Sequence, residues 1–181
     1  MNDDLNDMRQ SFPGVELRLA TAHDEANLLA LTNDPVVRQF SFSRHRVAPD
    51  AHHRWLSERL RSSDVIMWIA ARGDELIGTI RYEREGEAAT ISFAVAPGAR
   101  GKGVGRWLLA STWKPAVAKL GADRARGIVM TENEASARSF LKAGFTEVCG
   151  WTVAGRECRV FEASLDKLAD ETAGTAGGDV R

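Results

Sequence analysis

The chain has 181 residues, 44% of them hydrophobic and 27% charged, with a formal net charge of −1. That balance suits one globular unit with a sizeable core and argues against a protein that binds nucleic acid through bulk positive charge. No apolar run approaches the ~20 residues that span a bilayer, so no membrane partner is expected. The polar opening "MNDDLNDMRQSFPG" carries no signal-peptide core, which points to the cytoplasm.

Residues 1–13 read as a flexible leader, 14–166 as the folded domain, and 167–181 as an Ala-, Gly- and Thr-rich flexible tail. Val15 to Ala20 alternates apolar and charged residues, as a half-buried strand does. Thr21 then caps a helix, with Asp24 standing in for the usual Glu of a capping box. After Pro35 comes a helical turn and an irregular loop over 36–48, then a helix that places Ala51, Trp55, Leu56 and Leu60 on one side. Three strands follow, over 65–71, 75–83 and 88–96, joined by short glycine-containing turns that imply antiparallel hairpins. A helix over 104–120 ends at Gly121, and Pro115 is expected to kink or loosen it. A fifth strand (124–130), a helix in "NEASARSFLKAG" and two strands around Ala154-Gly155 complete the order β-α-α-β-β-β-α-β-α-β-β. Cys149 and Cys158 flank that last turn and read as reduced packing thiols. No Cys/His cluster has metal-ligand spacing, so no metal is expected.

The stretch "VAPGARGKGVGRWLL" (95–109) joins the third strand of the meander to the long helix. Gly101, Gly103 and Gly105 let the main chain approach a ligand closely. The unpaired N–H groups of the helix start form an anion site, with Arg100, Lys102 and Arg106 at its rim. A phosphate or pyrophosphate is the natural ligand, and a tight turn with ordinary surface cations is the plain alternative. A P-loop needs Ser or Thr after Gly-Lys, where this chain has Gly103. A dinucleotide fingerprint needs G-x-G-x-x-G after a parallel strand; here the spacing is G-x-G-x-G after an antiparallel meander. Both nucleotide readings weaken.

"RGKGVG" resembles the R/Q-x-x-G-x-G/A loop of the GNAT acetyltransferase superfamily, through Arg100, Gly103 and Gly105. "NEASARSFLKAGF" (133–145) resembles its second motif, through Asn133, Ser136, Gly144 and Phe145. The resemblance covers about residues 15–164. It implies an α/β fold of the α+β kind: a mixed, mostly antiparallel sheet of about seven strands flanked by helices, splayed between strands 4 and 5. It also implies acetyl-CoA as donor, with the pantetheine lying in the splay along the backbone of Phe93, Ala94 and Val95. Backbone N–H groups of Gly101, Lys102, Gly103, Val104, Gly105 and Arg106 would hold the pyrophosphate, with Arg100 alongside. Asn133 would contact the cofactor arm, although its residue type equally suits a helix N-cap.

The family's tyrosine, a proposed acid for the leaving thiolate, is Phe140 here, beside the cofactor but without a hydroxyl. Ser139 lies ~100° round the helix, and the chain's one tyrosine, Tyr82, is on the third strand. An ordinary thiol pKa of ~8.5 makes the missing acid tolerable. An amine arrives as ammonium and must lose a proton before attack. Members that acetylate ribosomal-protein N-termini carry a Glu where this chain has Ile128. Glu83 and Glu85, and less directly Glu87, are candidate bases near a hairpin whose neighbours can face the cleft. His45, His52 and His53 lie in the segment that covers the acceptor in this fold, each reading as a surface residue first.

The acceptor segment "TNDPVVRQFSFSRHRVAPDAHHRWL" resembles that of acetyltransferases acting on nucleotide-linked aminosugars. Arg38, Arg44, Arg46 and Arg54 are suited to a diphosphate, and Phe40, Phe42 and Trp55 to stacking. Another small amine, or a protein amine, remains open. So does a catalytically weak acyl-CoA-binding module, which Phe140 would suit. The fold often forms dimers, so a homodimer is a further expectation from the resemblance.

Overall fold

The computed structural model describes residues 12–165. Most of the expected leader and all of the expected tail lie outside them. The element order follows the sequence reading: β1 (Glu16–Leu19), α1 (Glu25–Thr32), α2 (Pro35–Gln39), α3 (Pro49–Arg61), β2 (Val65–Arg72), β3 (Glu75–Glu85), β4 (Ala88–Val95), α4 (Val104–Leu120), β5 (Arg124–Met130), α5 (Glu134–Lys142), β6 (Thr146–Val153) and β7 (Arg156–Ser164). Single 3-10 turns precede α1 and follow β4.

The strands form one sheet in the order β1-β2-β3-β4-β5-β7-β6. Every join is antiparallel except β4 with β5. Strand alternation sorts the helices onto two faces. Ile66, Trp68 and Ala70 of β2 join the core beneath α4 and α5, with Tyr82, Trp107, Leu108, Phe140 and Phe161. Met67, Ile69 and Ala71 point the other way, to Leu28 of α1 and Leu56 of α3.

Four local expectations need adjusting. On α3 the buried stripe is His52 and Leu56, flanked by half-buried Trp55 and Leu60, while Ala51 is exposed. The apolar face is therefore centred one position later than a hydrophobicity reading places it, because a histidine occupies an inward site. Helix α4 runs through Pro115 without a break; the ring removes the donor that would meet the Ser111 carbonyl, and the helix's long buried face holds the helix together regardless. Phe12, assigned above to the leader, packs its ring 5.2 Å from that of Trp107. Cys149 is exposed, Cys158 is buried, and both are free thiols; Cys158 pairs in register with Trp151, not with Cys149.

The capping expectation at Thr21 holds in part. The Asp24 carboxylate accepts the Thr21 N–H at 2.8 Å. It also takes two bonds from Arg18, at 2.6 and 2.9 Å. The guanidinium holds this buried carboxyl below the usual carboxylate range.

Candidate active site

Strands β4 and β5 pair only from Ala88–Ile91 against Arg124–Gly127. Beyond Ile91 and Gly127 they separate. Phe140 packs on the sheet face over that vertex: a Cβ on Gly127 would lie 2.2 Å from its ring. The ring stacks on Phe161 (5.3 Å, 10°) and meets Phe93 and Phe145 edge-on. Gly127 is thus a glycine for space, not for dihedral freedom.

The gap exposes backbone. The Ala96 N–H donates to Ile77 O on β3 at 2.9 Å. By strand alternation Ser92 and Ala94 also bond to β3, and the peptide groups of Phe93 and Val95 face the gap. A cavity of about 1000 Å³ runs through it, from the α1–α3 face of the sheet to the first turns of α4 and α5.

At the α4 end, the three loop glycines serve two purposes. Gly101 (φ 74°) and Gly103 (φ 85°) adopt left-handed backbone, with open space where a Cβ would go. Gly105 has no positive φ; a Cβ there would come within 2.9 Å of the Phe93 ring and 3.0 Å of the Ser139 hydroxyl. The first-turn N–H groups of α4 open on this end, as do Arg106, Arg138 and Lys142. The Asn133 side chain accepts the Ser136 N–H at 3.1 Å, so it caps α5, and it also lines the cavity. Two rim cations are otherwise engaged. Arg100 donates to Val95 O at 3.1 Å and to Asp34 at 2.5 Å. Asp34 in turn caps α2 by accepting from Val36 and Val37 N–H. Arg100 is therefore a latch between the loop and the acceptor segment. The Lys102 ammonium turns back onto Gly98 O at 2.8 Å and does not line the cavity.

The other end is built from side chains of α1, α2, α3, β3 and β4. Phe40, Phe42, Trp55, Arg38 and His52 line it, with Thr79, Arg81 and Ser92 rising from the sheet. His52 is 1% exposed. Neither ring nitrogen has a hydrogen-bond partner, and burial pushes its pKa down. Its ring lies 5.4 Å from that of Trp55. The Arg38 guanidinium is spent on its own loop, donating to Ser43 O, His45 O and Ser41 Oγ.

Other expected site residues lie elsewhere. Glu83 pairs with Arg59 at 3.2 Å and Glu85 accepts from Thr90 Oγ1 at 2.8 Å; neither lines the cavity. Glu85 and Glu87 flank the β3–β4 turn, at the paired end of the β4–β5 join and away from the splay. A hairpin position read from sequence does not say which end of the sheet opens. Arg44, Arg46, His45, His53 and Arg54 are exposed and line nothing here. Tyr82 is fully buried; its hydroxyl bonds to Thr112 Oγ1 at 2.9 Å, which itself donates to Leu108 O. Burial raises its pKa strongly, so it supplies no proton to the gap. Ile128, Ser139 and Phe140 do reach the cavity.

Sequence reasoning passed over Arg81, Arg138 and Lys142. Each had a signal. Arg81 sits between Ile80 and Tyr82, a cation on the opposite face from two core residues. Arg138 and Lys142 stand four apart on one helix, hence side by side.

A family model described as an acetyltransferase (GNAT) domain matches residues 15–146. Among solved structures, spermidine N-acetyltransferase from Vibrio cholerae, in complex with CoA and spermine, superposes with a TM-score of 0.75 at 16% identity, over 87% of this chain and 99% of the other. AAC(6')-Ib in complex with paromomycin and acetyl-CoA gives 0.72 at 18% identity, over 92% and 99%. Ribosomal-protein-alanine N-acetyltransferase from Brucella melitensis gives 0.72 at 26% identity, over 83% and 99%. At such identities the first two likenesses establish the fold.

Proposed function

The chain belongs to the GNAT acetyltransferase family, and from that premise we propose that it transfers acetyl from acetyl-CoA directly to the amine of a small molecule. The observation that carries this reading is the splay of β4 from β5, with the Phe93 and Val95 peptide groups turned into it and a glycine-opened helix start at one end. The residues fit the donor. The Phe93 peptide group and the Val95 N–H match the amides of a pantetheine, and the α4 N-terminus with Arg106, Arg138 and Lys142 matches its phosphates.

Bound acetyl-CoA supplies an acyl group activated as a thioester. The chain's own residues do the rest. Phe93 and Val95 orient the donor, and Asn133 keeps the start of α5 against it. The amine enters from the α1–α3 face, as an ammonium that must be deprotonated. His52 is the titratable side chain in the described lining whose ordinary pKa lies near neutrality. Neutral by burial, it is the proton acceptor we assign, and a turn of its side chain must bring one of its closed-off nitrogens to the amine. No phenol lines the described cavity, and a leaving thiolate needs none near neutral pH.

The aromatic wall of Phe40, Phe42 and Trp55 favours a second, narrower reading, a nucleotide-linked aminosugar. Its weak point is that Arg44, Arg46 and Arg54 face solvent. The test of the main reading is thiol release from acetyl-CoA with a panel of amines, alongside calorimetric CoA binding. Gly103→Trp should abolish CoA binding while the circular dichroism spectrum is kept. Unchanged CoA affinity in that variant would sink the donor assignment.

A further inference from the structure

The acceptor half of the cavity has an unbalanced charge. Among the described residues that line the whole cavity there are six cations, Arg38, Arg81, Arg100, Arg106, Arg138 and Lys142, and no carboxylate. Arg100 is neutralised by Asp34. Arg106, Arg138 and Lys142 belong to the donor end. Arg38 and Arg81 remain, both at the acceptor end.

Arg81 is held in place yet under-used. Its guanidinium lies 5.0 Å over the Trp55 ring, which fixes its plane. Its polar approaches are long: 3.5 Å to Ser92 Oγ and 3.8 Å from Nε to Glu83. Glu83 is itself shared with Arg59 at 3.2 Å, so two guanidinium groups face one carboxylate. The side chain is 23% exposed, and burial depresses its pKa. Arg38 adds a second positive charge whose guanidinium donates to neutral oxygens, those of Ser41, Ser43 and His45. A cation desolvated without a matching anion is costly unless a ligand supplies one.

We infer that the acceptor carries an anionic group, a carboxylate or a phosphate, beside its reacting amine, and that Arg81 is the residue that reads it. The inference rests on the acetyl-transfer reading for the amine but not for the anion. Arg81 offers a planar fork to the anion, the field of Arg38 strengthens the attraction, and Trp55 covers the acceptor's carbon skeleton. The same field repels polycations. The cavity is thus the opposite of what spermine, the ligand in the Vibrio cholerae structure, would require.

The test uses amines that differ by the anion alone: L-phenylalanine against phenethylamine, O-phosphoethanolamine against ethanolamine, and glucosamine 6-phosphate against glucosamine, with spermidine as the polycation. Thiol release and calorimetric binding in the presence of CoA are both read. At least one anionic member should exceed its neutral twin ~10-fold or more in kcat/KM, and which pair responds separates carboxylate from phosphate. Arg81→Met should raise KM for that member ~10- to 100-fold, the span of a lost hydrogen bond to a charged group, with kcat and CoA affinity unchanged. Binding of an anionic member that Arg81→Met abolishes, with no thiol released from any amine, would keep anion recognition and overturn acetyl transfer. Equal use of neutral twins or of spermidine, an Arg81→Met variant with unaltered preference, or no binding of any anionic member would overturn the inference.

Discussion

The two ends of the cavity are made of different material. The donor end is largely backbone: the Phe93 and Val95 peptide groups, left-handed Gly101 and Gly103, and the first turn of α4. The acceptor end is side chains, brought from Arg38, His52, Trp55, Arg81 and Ser92 on α2, α3, β3 and β4. Backbone sites depend on turn geometry, which a short run of sequence encodes. Side-chain sites depend on which elements become neighbours, which no short run encodes. The first kind suits a donor that never varies, and the second a substrate that does.

The sharpest way to break the contrast is at the vertex that both ends share. Gly127→Ala puts a methyl 2.2 Å from the Phe140 ring. That ring is locked between Phe161, Phe145 and Phe93, so it has no easy retreat. Destabilisation of about 3 kcal/mol is expected, a fall in Tm of roughly 6–12 °C for a domain of this size. Scanning calorimetry reads it. Adding Phe140→Leu should restore part of the loss, because the second change removes the colliding ring. If the single variant melted like the parent, the Phe140 ring would not be closed down on Gly127.

This vertex shows where reading the sequence succeeds and where it stops. The glycine loop, Asn133 and the strand order are legible because each is a local pattern of spacing and turn chemistry. The inward turn of His52 is not, because hydrophobicity alone puts Ala51 on the buried stripe. Nor is the position of Glu83 and Glu85: the meander was plain, but the end at which β4 leaves β5 shows only in the sheet, where pairing stops after Ile91 and Gly127, which lie in separate segments of the chain. Arg100 was legible as a motif residue and misread as a free charge, since its partner Asp34 lies in another segment.

Arg100 joins the two ends, so its loss should register at both. Arg100→Ala removes the bonds to Val95 O and Asp34 and frees α2 from the loop. Steady-state kinetics should show KM rising ~10-fold for acetyl-CoA and for the amine together, in line with the loss of a charged hydrogen bond. A rise confined to acetyl-CoA would make Arg100 a donor contact only, and the two ends independent.

His52 separates function from stability at the acceptor end. Its two unpartnered nitrogens are a burden to the fold. His52→Leu should therefore raise stability by about 1 kcal/mol while acetyl transfer collapses. The pH dependence has a definite sign. The folded pKa lies below the unfolded one, so the unfolded chain binds the extra proton first. Stability contributed by keeping the ring neutral is whole above about pH 6.5 and falls as pH drops below it. In His52→Leu that part of the acid-side slope should vanish from urea titrations at pH 5 to 7. A variant with full activity would remove His52 as the proton acceptor.

The smallest effect tests the donor end against its own motif. Lys102 lies inside the glycine loop, yet its ammonium rests on Gly98 O and it is exposed. Arg138 and Lys142 lie outside the loop, yet they line the cavity. Lys102→Ala should change CoA affinity less than about 2-fold, as expected of a solvated surface charge. Arg138→Ala should weaken it a few-fold, and more so at low salt, where a phosphate feels an unscreened cation. Dephospho-CoA should narrow the difference if Arg138 meets the outer phosphate. The reverse order, a costly Lys102→Ala and a silent Arg138→Ala, would mean that the loop's side chains bind as its backbone does. The division between a backbone-built donor end and a side-chain-built acceptor end would then fail at the donor end.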